Sequence, residues 1–428
     1  MNKYMLKLGT AISSAALVAS SFVVPALALT VEVSGNGSDS NNTVNVNTTS
    51  NTSVNQTNSA NISNNINVDA KTGENDAKDN TGGDVEITTG NATANVTVNN
   101  TANANHAEVD GCCPGDVNVT VKGNGSDSDN DVTVDTRNNV RLNQHNDADI
   151  YNYLDVDAKT GKNDANDNTG GNVTVDTGDA SATVAVNNAA NFNGASIGGN
   201  GGGTLSIEIS GNGSGSDNNV NVTANSSVDL NQTNSANISN KLDVDAETGE
   251  NDANDNTGGD VSIETGNATA NVGVNNLANF NWADVDSCGC VFDEDSSVLV
   301  KGNGSDSDND VSLRLTGLKY IDQHNDFDCG KGEEWNHFFE WGWEDHRDGS
   351  CNDLDVDAET GENDNKDNTW GGDPSIETGD AEVDVDVDNR VNKNVLGSTL
   401  DLPELPDLGS DSFSLLVWFL EVLNSDDA

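Results

Sequence analysis

The chain has 428 residues, and 72 acidic residues against 18 basic ones give a formal net charge of −54. A field of that sign repels nucleic acid and anionic membrane surfaces and gathers cations, which excludes nucleic-acid binding. Leu, Ile, Val and Phe make up only about a fifth of the chain, too little for an ordinary globular core of this length and near the level of disordered chains.

At the N-terminus, Lys3 and Lys7 precede mostly small and apolar residues from Leu8 to Val24, and Ala26-Leu27-Ala28 fits a small-residue cleavage pattern. Together they predict a secretory signal peptide over residues 1–28. A retained membrane anchor is the competing reading, for which the run is short. The expectation is a secreted protein, extracellular or at the cell surface, and not an integral membrane protein.

Internal repetition dominates the rest of the chain. The phrase GNGS begins at Gly35, Gly123, Gly211 and Gly302, at intervals of 88, 88 and 91 residues. Thr-Gly pairs ending at Gly73, Gly161, Gly249 and Gly361 recur at intervals of 88, 88 and 112. Four units follow, over 31–116, 117–203, 204–297 and 298–395, the fourth carrying 21 extra residues between its two markers. Units one and three share NQTNSANISN, from Asn55 and Asn231, and units two and four share QHND, from Gln144 and Gln323. The array therefore reads as a duplicated pair.

Within a unit, Val31-Glu-Val33, Val44-Asn-Val46, Ile66-Asn-Val68, Val85-Glu-Ile87 and Val96-Thr-Val98 alternate apolar and polar residues. Such alternation between Gly, Asn and Asp clusters predicts short strands. Ser34 to Gly37, Lys71 to Gly73, Thr81 to Gly83 and Thr89 to Asn91 supply turns, since Gly and Asn tolerate positive φ. The expected fold class is all-β. Comparable turns recur about every 17–22 residues, which suits a β-solenoid-like array whose layers stack at about 4.8 Å. Stacked Asn side chains would then bond along the array as ladders. A string of four β-sandwich domains is the alternative.

The stretches Asn55-Gln-Thr-Asn-Ser-Ala-Asn-Ile62 and Gly90-Asn-Ala-Thr-Ala-Asn-Val96 resemble the Gln/Asn/Ala-rich strand-turn-strand repeats of curlin, a secreted amyloid-fibre subunit. The array over residues 31–395 also resembles Asn/Thr/Gly-rich repeat proteins of bacterial surfaces. The resemblance implies an extracellular structural or adhesive role, with other copies of the chain or cell-surface components as partners.

The phrase TGENDANDNTGGD, residues 248–260, has near-copies from Thr72, Thr160 and Thr360. It offers Asp252, Asn254, Asp255, Asn256 and Asp260 as oxygen ligands for a hard cation such as calcium. The spacing is not that of an EF-hand, since Thr257 stands where that loop needs Gly and its twelfth position has no Glu. A second acidic phrase places Asp127, Asp129 and Asp131 in unit two and Asp306, Asp308 and Asp310 in unit four. Units one and three dilute it to Ser38-Asp39-Ser40-Asn41 and Ser214-Gly215-Ser216-Asp217. Calcium is thus one reading and a solvated acidic turn the other; no further cofactor is implied.

Six cysteines and a secretory leader favour disulfides. Cys329 and Cys351 bracket the unit-four insertion, residues 327–353, and are expected to close it. Cys112-Cys113 and Cys288-Gly-Cys290 lie at equivalent junctions. Short layers at one strand spacing each would hold them ~40 Å apart. Within the insertion, Trp335, Phe338, Phe339, Trp341 and Trp343 concentrate aromatics that the chain otherwise avoids. They read either as a binding surface or as a small apolar plug. Residues 396–428 form a Pro-broken acidic linker and an apolar segment, Phe413 to Leu423, that is too short to span a bilayer. That segment reads as a cap on the last repeat or as an arm docking on a neighbour. His145 and His324 occupy one repeat position, and no nucleophile, phosphate-loop or zinc-helix motif supports an enzyme.

Overall fold

The structure is a computed structural model that describes residues 5–14, 17–23, 28–110, 115–198, 203–285, 296–329, 351–369, 372 and 374–397. Among the described residues every helix or strand element is a β-strand, and all strand pairing is parallel. Unit one contributes β3 (Leu29–Ser34), β4 (Asn41–Lys71), β5 (Val85–Thr88) and β6 (Ala92–Asp110). They are preceded by β1 (Met5–Ser14) and β2 (Leu17–Val23). Unit two contributes β7 (Val117–Lys122), β8 (Asp129–Gly161), β9 (Val173–Asp176) and β10 (Ala180–Gly198). Unit three repeats the set as β11 (Leu205–Ser210), β12 (Asp217–Gly249), β13 (Val261–Glu264) and β14 (Ala268–Val285). Unit four contributes β15 (Ser297–Lys301), β16 (Asp308–Asp328), β17 (Asn352–Gly361), β18 (Ser375–Glu377) and β19 (Ala381–Leu396).

Each strand pairs with its counterpart in the next unit. Asn41 lies on Asp129, Asp129 on Asp217 and Asp217 on Asp308, so sequence equivalents are spatial neighbours. The array is a β-solenoid-like stack, and the whole 88-residue unit is one rung. This corrects the expected 17–22-residue layer. Val44-Asn-Val46 and Ile66-Asn-Val68 are one unbroken strand, β4, because the Asn, Ser and Thr residues between them stay extended instead of turning. Local propensity disfavours Asn in strands; laddering against the next rung overrides it. The correction also moves the cysteine junctions. Val109 pairs with Ile197 and Ile197 with Val285, so the flanking residues sit two rungs apart, about 10 Å at one strand spacing per rung. Cys112, Cys113, Cys288 and Cys290 themselves lie outside the described residues.

The rung is a flattened loop with two layers. The long sheet β4-β8-β12-β16/β17 forms one layer. Against it lie the sheet led by β6 and, beyond its end, the sheet led by β3. Val31 and Val33 share a core with Val132 and Val134, Ala107 and Val109 with Val54 and Leu142, and Val96 and Val98 with Leu154 and Val156. Short strands β5, β9, β13 and β18 close one tip, where Ile87, Val175 and Ile263 pack on Ala165 and Ala253. A 33-residue strand such as β8 is roughly 110 Å long at ~3.3 Å per residue. Four rungs rise far less, so the molecule is a wide, shallow stack.

Along β8 burial alternates, with Leu142, Ile150, Leu154 and Val156 inward. The insertion leaves this sheet at one point and returns beside it. Asp328 pairs with Asn237 and Asn352 with Asn240, and a disulfide joins Cys329 to Cys351 with Cα atoms 4.3 Å apart. The expected bridge is therefore present. Trp335, Phe338, Phe339, Trp341 and Trp343 lie outside the described residues, as does Phe413 to Leu423. β1 and β2 run along β6, Met5 opposite Ala92 and Leu17 opposite Ala104.

Candidate functional site

The repeated acidic phrase builds one tip of every rung. Thr248 Oγ1 donates to the Gly266 carbonyl at 2.9 Å, tying the loop to the turn before β14; Thr72, Thr160 and Thr360 do the same to Gly90, Gly178 and Gly379. Gly249 follows at φ 113°, and Glu250 at φ 51°. Asn251 donates through Nδ2 to Asn363 Oδ1 at 2.9 Å and accepts from Asn163 Nδ2 at 2.9 Å, one step of a ladder. Asp252 bridges to Asp164 and Asp364, Ala253 is fully buried, and Thr257 bridges to Thr169 and Thr369.

Several of the proposed cation ligands have a structural task here. Asp255 takes the left-handed conformation at φ 57°, as do Asp79, Asp167 and Asp367. Asn254 Oδ1 accepts from the Lys366 amide at 2.6 Å, and buried Asn256 accepts from the Asn168 amide at 2.9 Å. The Asp260 amide donates to Asn172 Oδ1 at 2.9 Å. Asp127 and Asp306 both sit at φ 57°, Asp39 at 59° and Gly215 at 69°. That explains why Gly215 replaces Asp in unit three: the position demands positive φ, which Asp and Gly both tolerate. Asp129 and Asp308 flank Asp217 in one column, and Asp131 and Asp310 flank Asn219 in the next. Among the described residues no group of three or more His, Cys, Asp or Glu side chains is arranged to hold a metal ion.

The stacking does create columns of like charge that reading the phrases alone does not reveal. Asp155, Asp243 and Asp355 form one, and Asp157, Asp245 and Asp357 another. At one strand spacing two carboxylates repel by about 1 kcal/mol in bulk water and by about 3.5 kcal/mol at an effective dielectric of 20. Burial first, then Asp355 and Asp155, pushes the Asp243 carboxyl above its usual range. Burial pushes Asp245 up to about 6, with Asp243 and Asp157 adding to it and Lys159 opposing. Lys159 lies 2.9 Å from Glu247, 3.3 Å from Asp157 and 3.5 Å from Asp245. Its ammonium is disfavoured by burial, yet the hydrogen bond to Glu247 and the Asp157 field outweigh that and raise its pKa. The closer contact with Glu247 is why Lys159 leaves Asp245 only partly compensated. A groove of about 490 Å³ runs along these tips, lined among others by Lys159, Lys162, Glu247 and Glu250.

The most ordered polar feature is inside, between the two layers. Asn58, Asn146, Asn234 and Asn325 ladder on one sheet, and Asn105, Asn193, Asn281 and Asn394 on the facing one. The two ladders cross-bond in a zigzag, Asn58 to Asn105 at 2.9 Å, Asn105 to Asn146 at 2.9 Å and Asn146 to Asn193 at 2.9 Å. A second pair, begun by Asn64 and Asn100, repeats the pattern. Buried amides are costly unless bonded; in rungs two and three each finds partners above, below and across. A third column, Asn103, Asn191, Asn279 and Asn392, sits at φ 57–63° and breaks the pairing at one residue within the otherwise continuous inner strands. The recurrence of Asn at one repeat position is the sequence signal for all of these.

Comparison with family models, curated proteins and solved structures found no match. The geometry itself supplies a register-locked polar interior, carboxylate columns outside, a fourth rung with exposed core positions, and a first rung whose β6 is covered by β1 and β2.

Proposed function

We propose that the protein is a secreted, non-catalytic structural or adhesive element of a cell surface. The observation that supports this reading is the unbroken double Asn ladder through all four rungs, which spends the buried polar groups on rigidity and leaves none of the ladder amides poised for chemistry. The outer faces keep the acidic surface in solvent and present one repeated pattern to components of the surface. Circular dichroism and thermal melting, with calcium and with chelator, test it. A β spectrum and a melting temperature unchanged by chelator agree with a structural stack. A chain that becomes β only on adding calcium would overturn the reading.

The stacked carboxylates beside Asp243 and Asp245 favour a second reading, a calcium-dependent carbohydrate- or surface-binding protein. Trp335, Trp341 and Trp343 would form its contact patch. Loss of binding to surface glycans on changing these tryptophans to Ala, with the β spectrum kept, would favour it.

A further inference from the structure

We propose that the two ends of the stack are mating surfaces for a second copy of this chain. Once the leader is removed, rung four of one copy docks in register on rung one of the next. This deepens the structural reading above and rests on it.

Three independent features of the ends point to that occupant. The first is apolar. Val300, Leu313, Val385 and Val387 occupy inward core positions, yet 41–45% of each is exposed because no rung covers them. Their neighbours Ile209, Val222, Val272 and Val274, one rung down, are buried. A further rung of the same pattern is the surface that would complete this core.

The second is hydrogen-bond polarity. Most interior Asn ladders donate to the oxygen of the following rung, as Asn75 to Asn163 and Asn103 to Asn191, whereas the Asn99–Asn187–Asn275 and Gln56–Gln144–Gln232–Gln323 columns run the other way. In the forward ladders rung four is left with surplus donors and rung one with surplus acceptors, and in the two reversed columns the roles are exchanged. Asn363 Nδ2 is buried without an acceptor, and Asn103 Oδ1 is buried without a donor, among the described residues. In register, Asn363 meets Asn75 and Asn392 meets Asn103 of the next copy.

The third is charge. β4 carries a single carboxylate, Asp69, and β6 carries none before Glu108. Rung four places Asp355, Asp384 and Asp388 in the columns of Asn67, Asn95 and Asn99. Asp over Asn is a contact the molecule already makes, between Asn67 and Asp155 at 2.9 Å. Among the paired strand positions head-to-tail docking sets one like-charge pair, Asp357 over Asp69, whereas two rung-four ends meeting would bring the many carboxylates of β16, β17 and β19 together, so the contact is head-to-tail. A head-to-tail contact that does not close grows a filament.

The leader decides when. β1 and β2 lie on β6 in the layer that β19 of another copy would take. The uncleaved chain is capped, and removal of residues 1–28 opens the end.

The test uses the full chain with a protease site inserted between Ala28 and Leu29, examined before and after cleavage by sedimentation and electron microscopy. Cleavage should convert a monomer into unbranched filaments one ribbon wide, with average mass rising several-fold with concentration. Val385→Lys with Leu313→Lys, at already exposed end positions, should abolish growth and leave the β spectrum intact. A cleaved chain that keeps its chelator-insensitive β spectrum but stays monomeric overturns the proposal while leaving the structural reading standing. Filaments that form equally before cleavage, or that vanish only on deleting Phe413 to Leu423, overturn it too, by placing the contact elsewhere. A cleaved chain that is β only with calcium would fail the structural reading itself.

Discussion

A methyl group added to Gly73 would lie 1.9 Å from the carbonyl oxygen of Gly161 in the next rung. The same clash would arise between Gly161 and Gly249 and between Gly249 and Gly361. Only glycine lets the rungs approach so closely at this turn, and all four sit at φ 110–113°. The Thr-Gly repeat in the acidic phrase is therefore a stacking requirement before it is anything else. Gly161→Ala is expected to destabilise by at least about 2 kcal/mol, from backbone strain plus displaced rungs. Gly361→Ala carries the same φ strain, but its Cβ would meet only Thr378 Cγ2 at 3.8 Å, so the loss should be smaller. Urea midpoints of the two variants check this; equal losses would refute the stacking explanation.

Asn146 stands at a crossing of the double ladder. It accepts from Asn58 and Asn105 and donates to Asn193 and Asn234. Asn146→Ala leaves several buried amides without partners, each costing about 1–3 kcal/mol. The expected loss is about 3 kcal/mol or more. Asn143, whose bond to Asn55 lies on the outer face, should cost within about 0.5 kcal/mol on the same change. A double-mutant cycle of Asn146 with Asn193 should show strong coupling, and additive losses would count against a cooperative ladder.

Much of this was legible in the sequence, and the reasons differ by element. Val31-Glu-Val33 and Val85-Glu-Ile87 read correctly as the strands β3 and β5, because short alternation between glycines is a local signal. Ser34 to Gly37 and Thr89 to Asn91 likewise mark where strands stop and start, β3 ending at Ser34 and β6 beginning at Ala92, although the turn after β3 falls at residues 38–39. The rung size was not legible. Between Val46 and Ile66 the residues are mostly Asn, Ser and Thr, and nothing local distinguishes a 31-residue strand from a run of loops. What holds β4 extended is its partner 88 residues away, and a reading confined to one unit does not contain that partner. The carboxylate columns escaped notice for the same cause. Asp157 and Asp245 are ordinary acidic residues until the register places them one strand spacing apart. The Cys329–Cys351 bridge was legible because the insertion interrupts an otherwise fixed interval.

That bridge carries its own consequence. It closes a loop between residues 22 apart in sequence, at the point where β16 stops and β17 resumes on the same partner strand. Closing a loop of that length contributes about 3 kcal/mol in the chain-entropy account. The contribution is local, since only rung four is interrupted. Replacing both cysteines by Ser should speed amide exchange in β17, from Asn352 to Gly361, and leave β8 protected. Hydrogen exchange read by mass spectrometry checks it, and uniform loss of protection across all rungs would contradict a local role.

Acid should stabilise this protein before it precipitates it. The Asp245 carboxyl stands at about 6 in the folded chain against an ordinary value near 3.8. A carboxyl raised by folding contributes stability that is full below the unfolded value and is lost as pH rises through the folded one. The gap between those two values, at ~1.4 kcal/mol for a tenfold change in proton affinity, caps the Asp245 contribution at about 3 kcal/mol at low pH, reduced by solvent screening of its exposed part, and leaves little at a pH of about 7.5. Asp217, Asp243 and Asp252 are raised as well and act with the same sign. Glu32, Asp116 and Glu208 are lowered, so their opposing losses fall at and below the usual carboxylate range. Lys159 is raised and acts only in the alkaline range. The melting temperature is thus expected to climb as pH falls from about 7.5 to about 5, above the isoelectric point of about 4.1. Asp245→Asn should flatten that slope while Lys159 keeps its contact with Glu247. A melting temperature that falls steadily over this interval, or a slope unchanged in the variant, would show that the stacked carboxylates are fully ionised and relieved by some other means.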